Sequence, residues 1–147
     1  MATESPLIHD GAQCVLGFDA RNSTFSGTTN SGPSGSAQFC LVSLSTVTAR
    51  MVLLPASSGA RVYGVLQNKG SSSQVADVGI FGISKVVCAG SSVGIGQIVM
   101  ASSGNGGACP YSSASSIYPV GIALEGATVG QVFTCALYGF GQGAAGS

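Results

Sequence analysis

The sequence predicts an all-β domain, a small β-barrel or sandwich with an extended N-terminal arm. Short β-branched runs bounded by Gly, Ser, Asn and Pro fill residues 63–137, which is typical of strands in a small barrel or sandwich. No segment shows a convincing 3.6-residue apolar period, so at most one short helix is expected, near residues 112–117. The mean hydropathy of +0.46 indicates a folded core in spite of the abundant Gly and Ser.

The strands are predicted in chain order from their flanking turns. The first is residues 14–18, and an apolar run over residues 38–44 follows. Residues 46–54 begin with period-two alternation and end before Pro55, which predicts a strand with one solvated face. The later strands are predicted over residues 63–68, 75–88, 97–101, 108–109, 118–125 and 130–137.

The longest predicted strand, residues 75–88, has two faces and two internal glycines. Every second residue counted from Ala76 to Gly82 lies on one face of the strand, and every second residue counted from Val75 to Ile83 lies on the other. Because a glycine within a strand often marks a bulge or a sharp bend, Gly79 and Gly82 predict that this strand curls as part of a barrel.

The chain length favours one domain with flexible ends. Residues 1–13 are predicted to form an N-terminal arm that orders on a partner, with a frayed terminus as the alternative, and residues 14–138 a single β domain. Within that domain, the Ser-, Thr- and Gly-rich residues 22–36 are expected to be a flexible loop, and residues 139–147 a flexible tail.

Charge is scarce in this chain. Charged residues make up 7% of the sequence and the net charge is zero, whereas about 25% is usual for a soluble domain. Such a surface associates easily because neighbouring copies do not repel one another. The five bases are scattered and no apolar stretch approaches a membrane span, so neither nucleic acid nor a membrane is expected as a partner. The N-terminus lacks the features of a signal peptide, so synthesis in the cytoplasm is expected.

The ionisable residues are too dispersed to predict a catalytic site. The sole histidine, His9, lies next to Asp10 in the arm, where it would be a mobile base. Asp77 and Glu125 are interpreted as satisfied strand-end or interface charges, and the widely spaced cysteines do not resemble a zinc site. We therefore expect no enzyme activity, metal, cofactor or small-molecule substrate. The five cysteines are interpreted as small buried hydrophobes.

The order of motifs in the C-terminal half resembles a known family. The motifs are Tyr63-Gly-Val-Leu-Gln-Asn68, Ile83-Ser-Lys-Val-Val87, Gly94-Ile-Gly-Gln-Ile-Val99, Tyr118-Pro-Val-Gly-Ile-Ala-Leu-Glu125 and Val129-Gly-Gln-Val-Phe133. In this order, over about residues 60–137, they are similar to the small head decoration (cement) proteins of tailed bacteriophages. One departure is that Gln occupies position 97, where the family usually has an acidic residue.

The resemblance implies a compact β-barrel or β-tulip that forms a homotrimer on the outer capsid surface. It also implies the major capsid protein as a partner, with an N-terminal segment that reaches the shell and cements neighbouring capsomers. We assign capsid binding to residues of the arm: Thr3, Glu4, Ser5, Pro6, Leu7 and Ile8. Core or trimer packing is assigned to Tyr63, Leu66, Ile80, Phe81, Val99, Val120, Ile122, Leu124, Val132 and Phe133.

An alternative within the virion is a host-facing spike or fibre module that binds a glycan or the cell surface. This function would require an exposed aromatic pair, and its candidates are Tyr111, Tyr118 and Tyr138. A non-viral β module, such as an adhesin or a surface-layer unit, is a third interpretation, which the absence of a recognisable signal peptide disfavours.

Overall fold

The computed structural model describes residues 14–19, 38–68, 75–102, 106–113 and 117–138, with 14–19 described by backbone alone. The predicted arm, the 22–36 loop and the 139–147 tail lie outside the described residues. The fold is all-β, as predicted, with nine antiparallel strands. They are β1 (Cys14–Asp19), β2 (Leu41–Leu44), β3 (Val52–Leu53), β4 (Gly64–Leu66), β5 (Val75–Val87), β6 (Ile98–Ala101), β7 (Ala108–Pro110), β8 (Pro119–Ala123) and β9 (Val132–Leu137).

The described part of the chain contains no helix, and so none that is long and apolar enough to cross a membrane. Each strand is short except β5, because glycines, serines and prolines interrupt the apolar runs at close intervals. Pro119 is the first residue of β8, a position that a strand tolerates because its N–H need not join the ladder.

Strand β5 is shared by two sheets. Its first half pairs with β1 along one edge and with β4 along the other, with Gly79 opposite both Val15 and Val65. Its second half pairs with β9, from Gly82 opposite Leu137 to Val87 opposite Val132. The strand order is β3-β2-β4-β5-β9-β8-β6-β7, and β1 lies beside the first half of β5.

A bend at Gly82 separates the two halves of β5. Gly82 has a φ of +95°, in a region that glycine adopts readily and that side-chain-bearing residues avoid. We call β3, β2, β4, β1 and the first half of β5 the amino-terminal sheet. The second half of β5 forms the carboxy-terminal sheet with β9, β8, β6 and β7. Of the two glycines predicted to curl this strand, Gly82 has the positive φ and marks the change of partner strands, whereas Gly79 stays in the ladder opposite Val15 and Val65.

The carboxy-terminal sheet curls back toward its own first strand. Cys88, directly after β5, forms a parallel bridge with Ala108 of β7, and the Ala89 N–H donates to the Ala108 carbonyl at 2.8 Å. The sheet therefore brings its last strand next to the residues that follow its first, which produces a barrel-like curvature.

The described residues bury two hydrophobic clusters, and Leu41 of β2 and Val65 of β4 place the amino-terminal sheet in contact with the larger one as well. The core of the carboxy-terminal sheet surrounds Phe133, which is 1% exposed, together with Val86, Val99 and Leu137. The amino-terminal sheet buries a smaller cluster made of Val42, Val52, Leu66, Ala76, Val78 and Ile80. Residues 76, 78 and 80 face this cluster, whereas residues 75, 77 and 81 are exposed, so the predicted period-two alternation of β5 is confirmed.

The strand predicted over residues 46–54 is wrong for most of its length. Only Val52–Leu53 is a strand, and Val47 is 92% exposed. The Ser45 hydroxyl accepts hydrogen bonds from the N–H groups of Val47 and Thr48 at 3.2 and 3.0 Å. These local bonds replace a strand ladder with a turn, which Arg50 continues at a φ of +57°.

We expect Gly82→Ala to lower the free energy of unfolding by about 1–3 kcal/mol, because alanine is strained at a positive φ. Urea unfolding at one fixed protein concentration measures the effect. Gly126→Ala is the matched control, since Gly126 is exposed and a Cβ built there lies 3.5 Å from its nearest neighbour, the Val93 carbonyl oxygen. Equal stability of the Gly82→Ala variant and the unmodified protein would show that the bend does not depend on glycine.

Candidate functional surfaces

Of the acidic side chains in the described residues, that of Glu125 has a structural role. The Glu125 carboxylate accepts hydrogen bonds from the N–H and the hydroxyl of Thr134, at 3.1 and 2.8 Å. Asp77 is exposed on β5, and its N–H donates to the Asn68 side-chain oxygen at 3.3 Å. Within the described ranges, no group of three His, Cys, Asp or Glu residues could hold a metal ion. His9 lies outside them.

Four cysteines are buried and free, namely Cys40, Cys88, Cys109 and Cys135, which confirms their interpretation as small hydrophobes. Burial raises the pKa of the Cys40 and Cys135 thiols to about 12. Burial also raises the pKa of Cys88 and Cys109 above the ordinary value. Since the thiolate is the reactive form, these groups are not poised as nucleophiles.

An apolar row crosses the outer face of the carboxy-terminal sheet. Strand register places Ile83 of β5 opposite Ala136, Ala136 opposite Ile122, and Ile122 opposite Ile98 of β6. Ile83 and Ile98 are 47% and 42% exposed, and the two residues between them are half-buried. We call these four residues the outer row. Directly opposed side chains lie about 5 Å apart, so the row forms a continuous apolar strip.

Two matching turns lie side by side at one end of the same sheet. In residues 93–97, the Gln97 side-chain oxygen accepts a hydrogen bond from the Gly94 N–H at 2.7 Å. In residues 127–131, the Gln131 side-chain oxygen accepts one from the Thr128 N–H at 3.0 Å. Val93 and Ala127 join the two segments through reciprocal backbone hydrogen bonds of 2.9 Å. We call these segments the paired turns.

The paired turns hold two aliphatic side chains in solvent. Ile95 is 77% exposed and Val129 is 54% exposed, and each precedes a glycine with positive φ. Sequence reasoning missed this duplication, although its signal is visible: Val93-Gly-Ile-Gly-Gln-Ile-Val99 matches Ala127-Thr-Val-Gly-Gln-Val-Phe133 in its spacing of Gly, Gln and apolar residues. Gln97, noted only as a departure from the resembled family, thus closes a turn.

A groove of about 670 Å³ opens on the amino-terminal sheet. Its described lining is mostly apolar, with Leu44, Leu53, Leu54 and Val62, and it includes one charged residue, Arg61. The guanidinium carbon of Arg61 lies 5.8 Å from the centre of the Tyr118 ring, a cation–π arrangement. Sequence reasoning did not identify this groove, because its residues come from β2, β3 and the segment before β4.

The structure places the predicted packing residues in three environments. Leu66, Ile80, Val99, Val120 and Phe133 are buried. Tyr63, Ile122 and Val132 are half-buried, whereas Phe81 and Leu124 are 46% and 43% exposed. The six residues predicted to bind the capsid, Thr3 to Ile8, lie outside the described residues.

The three tyrosines considered for glycan binding are each half-buried. The hydroxyl of Tyr111 is buried and has no hydrogen-bond partner among the described residues, and Tyr118 lies beneath Arg61. None of the three is therefore a fully open aromatic platform.

Comparison with known proteins identifies a likeness of fold. No protein-family model matches this sequence, and no curated protein does. The structure is similar to the N base of the head fibre protein gp8.5 of bacteriophage phi29, with a TM-score of 0.59 and 17% sequence identity. The similarity covers 84% of this chain and 92% of that one. This β fold is thus shared with a protein of a phage head.

We expect stability to fall as the pH rises from about 9 toward 12. The Cys40 and Cys135 thiols ionise near pH 9 in the unfolded chain but only near pH 12 when folded, so alkaline pH favours unfolding. Above pH 9, each thiol contributes a loss of about 1.4 kcal/mol per pH unit. Urea unfolding at pH 8 and pH 10.5 tests this, and Cys135→Ala should reduce the difference between the two values. An unchanged difference in that variant would contradict the assignment to this thiol.

Proposed function

We propose that this protein is a structural component of a bacteriophage virion that binds the outer capsid surface. The observation that carries the proposal is the fold shared with the base of a phage head fibre over most of both chains. The dispersed ionisable groups and the buried thiols of high pKa agree with a role in binding rather than in chemistry. In this role, the protein cements neighbouring capsomers and stabilises the mature head.

Cementing requires many weak contacts that act together. A copy that contacts two capsomers, or a trimer that binds through three arms, gains retention from the high effective concentration of each further contact. An extended arm with the residues Thr3 to Ile8 could add a strand to an exposed sheet edge of the major capsid protein. Main-chain hydrogen bonds would then supply affinity without charged side chains, in agreement with the low charge of the chain.

The outer row is the surface that we assign to self-association as a homotrimer. It spans four strands and exposes Ile83 and Ile98 without a charged residue within the row. Burial of this strip against a neighbouring copy would remove apolar area from water, worth about 25 cal/mol per Å². The zero net charge means that little long-range repulsion opposes the contact.

A host-facing fibre module is the second candidate, because the structurally similar phi29 protein is named a head fibre. Cementing is favoured, since the candidate tyrosines are half-buried and offer no open stacking platform for a sugar. Binding of the purified protein to host cells or to a glycan array, together with no effect on shell stability, would favour the fibre function instead.

We expect deletion of residues 1–10 to abolish binding to empty shells of the cognate phage while leaving the fold intact. The deletion removes the proposed contact residues but ends before β1 begins at Cys14. Cosedimentation with shells measures binding, and circular dichroism verifies the fold. Deletion of residues 139–147 is the control at the other terminus and should leave binding unchanged. Full binding by the N-terminally truncated chain would refute the role of the arm.

We expect Ile98→Lys to weaken self-association at least tenfold, because it places a charge at one of the two most exposed positions of the outer row, within a contact that would be desolvated. Sedimentation velocity over a range of protein concentrations measures the change. Ile95→Lys is the matched control, since Ile95 is more exposed but belongs to the paired turns rather than to the outer row. The assignment fails if both variants retain the association state of the unmodified protein, or if Ile95→Lys alone disrupts it.

A further inference from the structure

We propose that the groove of the amino-terminal sheet binds residues 4–10 of the same chain. The groove joins an apolar floor to a single cation, Arg61. A ligand that matches it needs a short apolar element beside a carboxylate. The segment Glu4-Ser-Pro-Leu-Ile-His-Asp10 has this composition, with an aliphatic pair between two acids.

The charges of the chain are segregated in a way that supports this pairing. Residues 1–19 contain Glu4, Asp10 and Asp19 and no Lys or Arg. Residues 20–76 contain four bases and no acid. A chain with so few charges, and a net charge of zero, thus carries an acidic N-terminus and a basic central part. Opposite charges favour contact between these two parts.

The groove offers matching partners for an extended segment. Leu44, Leu53 and Leu54 provide the apolar surface that Leu7 and Ile8 would cover. Ser45 and Thr46 also line the groove. The Ser45 hydroxyl accepts from two local N–H groups and retains its own hydrogen as a donor for a peptide carbonyl. The Ser43 hydroxyl donates to the Arg61 carbonyl at 2.6 Å, which fixes the backbone from which the guanidinium projects.

The strand register brings the groove and the start of β1 to the same end of the sheet. Cys14, the first residue of β1, lies opposite Phe81 of β5. Val65 of β4 lies opposite Gly79, which is two residues before Phe81 in the same strand. The Tyr63 N–H donates to the Val42 carbonyl at 2.7 Å, so residues 61–63 continue past β4 toward this same end, where they line the groove.

The arm is also long enough to reach. Three interstrand steps, from β1 across β5 and β4 to β2, span about 14 Å at ~4.8 Å each. The six residues 8–13 extend to about 20 Å. Because the segment is tethered to β1, its effective concentration at the groove is in the millimolar range, so even weak contacts fill the site. In the proposed function, residues 3–8 of the same segment bind the capsid shell, so the groove and the shell would compete for them. This competition rests on the proposed function, whereas binding of the segment in the groove does not.

The test uses the full-length protein labelled with ¹⁵N. Leu7→Ser/Ile8→Ser should shift the amide resonances of Leu44, Leu53, Leu54 and Val62, which are remote in sequence from the substitutions. Arg61→Glu should shift the same amides, increase the fast backbone motion of residues 4–10 and lower the equilibrium constant for docking on the order of threefold to tenfold. Lys85→Glu, which changes an exposed cation of the carboxy-terminal sheet, should do neither.

A charge exchange provides the second measurement. Asp10→Arg combined with Arg61→Glu should restore the resonances and the order that Arg61→Glu alone removes. The inference is overturned if the Leu7/Ile8 substitutions leave the groove amides unchanged. It is also overturned if the shifts disappear on dilution, since the occupant would then be the arm of a second copy. The shell cosedimentation of the truncated chain is independent of these spectra, so the two proposals can fail separately.

Discussion

The bend in β5 is the constraint on which the rest of the structure depends. One strand serves two sheets, and it changes direction at Gly82, where φ is +95°. Before the bend it lies between β1 and β4, and after the bend it pairs with β9. A straight strand of this length would extend one flat sheet, whereas the bend lets two short sheets enclose two hydrophobic clusters, and Leu41 and Val65 of the amino-terminal sheet contribute to the larger one. The groove is formed by strands that precede the bend, and the outer row is formed by β5 after the bend together with β9, β8 and β6.

The scarcity of charge explains how the surface is used. Several of the described charged groups already contact a neighbour: Glu125 is bonded to Thr134, Arg61 lies over Tyr118, and the Lys85 ammonium lies 6.0 Å from the centre of the Phe39 ring. What remains exposed includes isolated aliphatic groups such as Ile95 and Val129, held by turns with glutamine caps. Recognition by such a surface depends on shape, apolar burial and main-chain hydrogen bonds.

Several elements could be predicted because their signals are local. Pro119 begins a strand, Gly82 bends one, and alternation from Ala76 to Ile80 determines which face of β5 is buried. The turn over residues 46–50 could not be separated from a strand, because alternating Thr and Val satisfy both descriptions. The Ser45 hydroxyl, which bonds two nearby N–H groups, decides in favour of the turn. The paired turns were missed because each segment alone resembles any glycine-containing turn. Only the backbone bridge between Val93 and Ala127 shows that the two turns form a pair.

The sequence by itself determined the all-β class and the burial of the cysteines at positions 40, 88, 109 and 135. These properties follow from composition and from period-two patterning, which act within a few residues. Only the tertiary structure decided which apolar residues form a continuous surface. Ile83, Ala136, Ile122 and Ile98 are far apart in the chain, and strand register alone aligns them. Arg61 likewise became part of a groove because β2, β3 and residues 60–63 converge there, a contact between distant segments that no local pattern encodes.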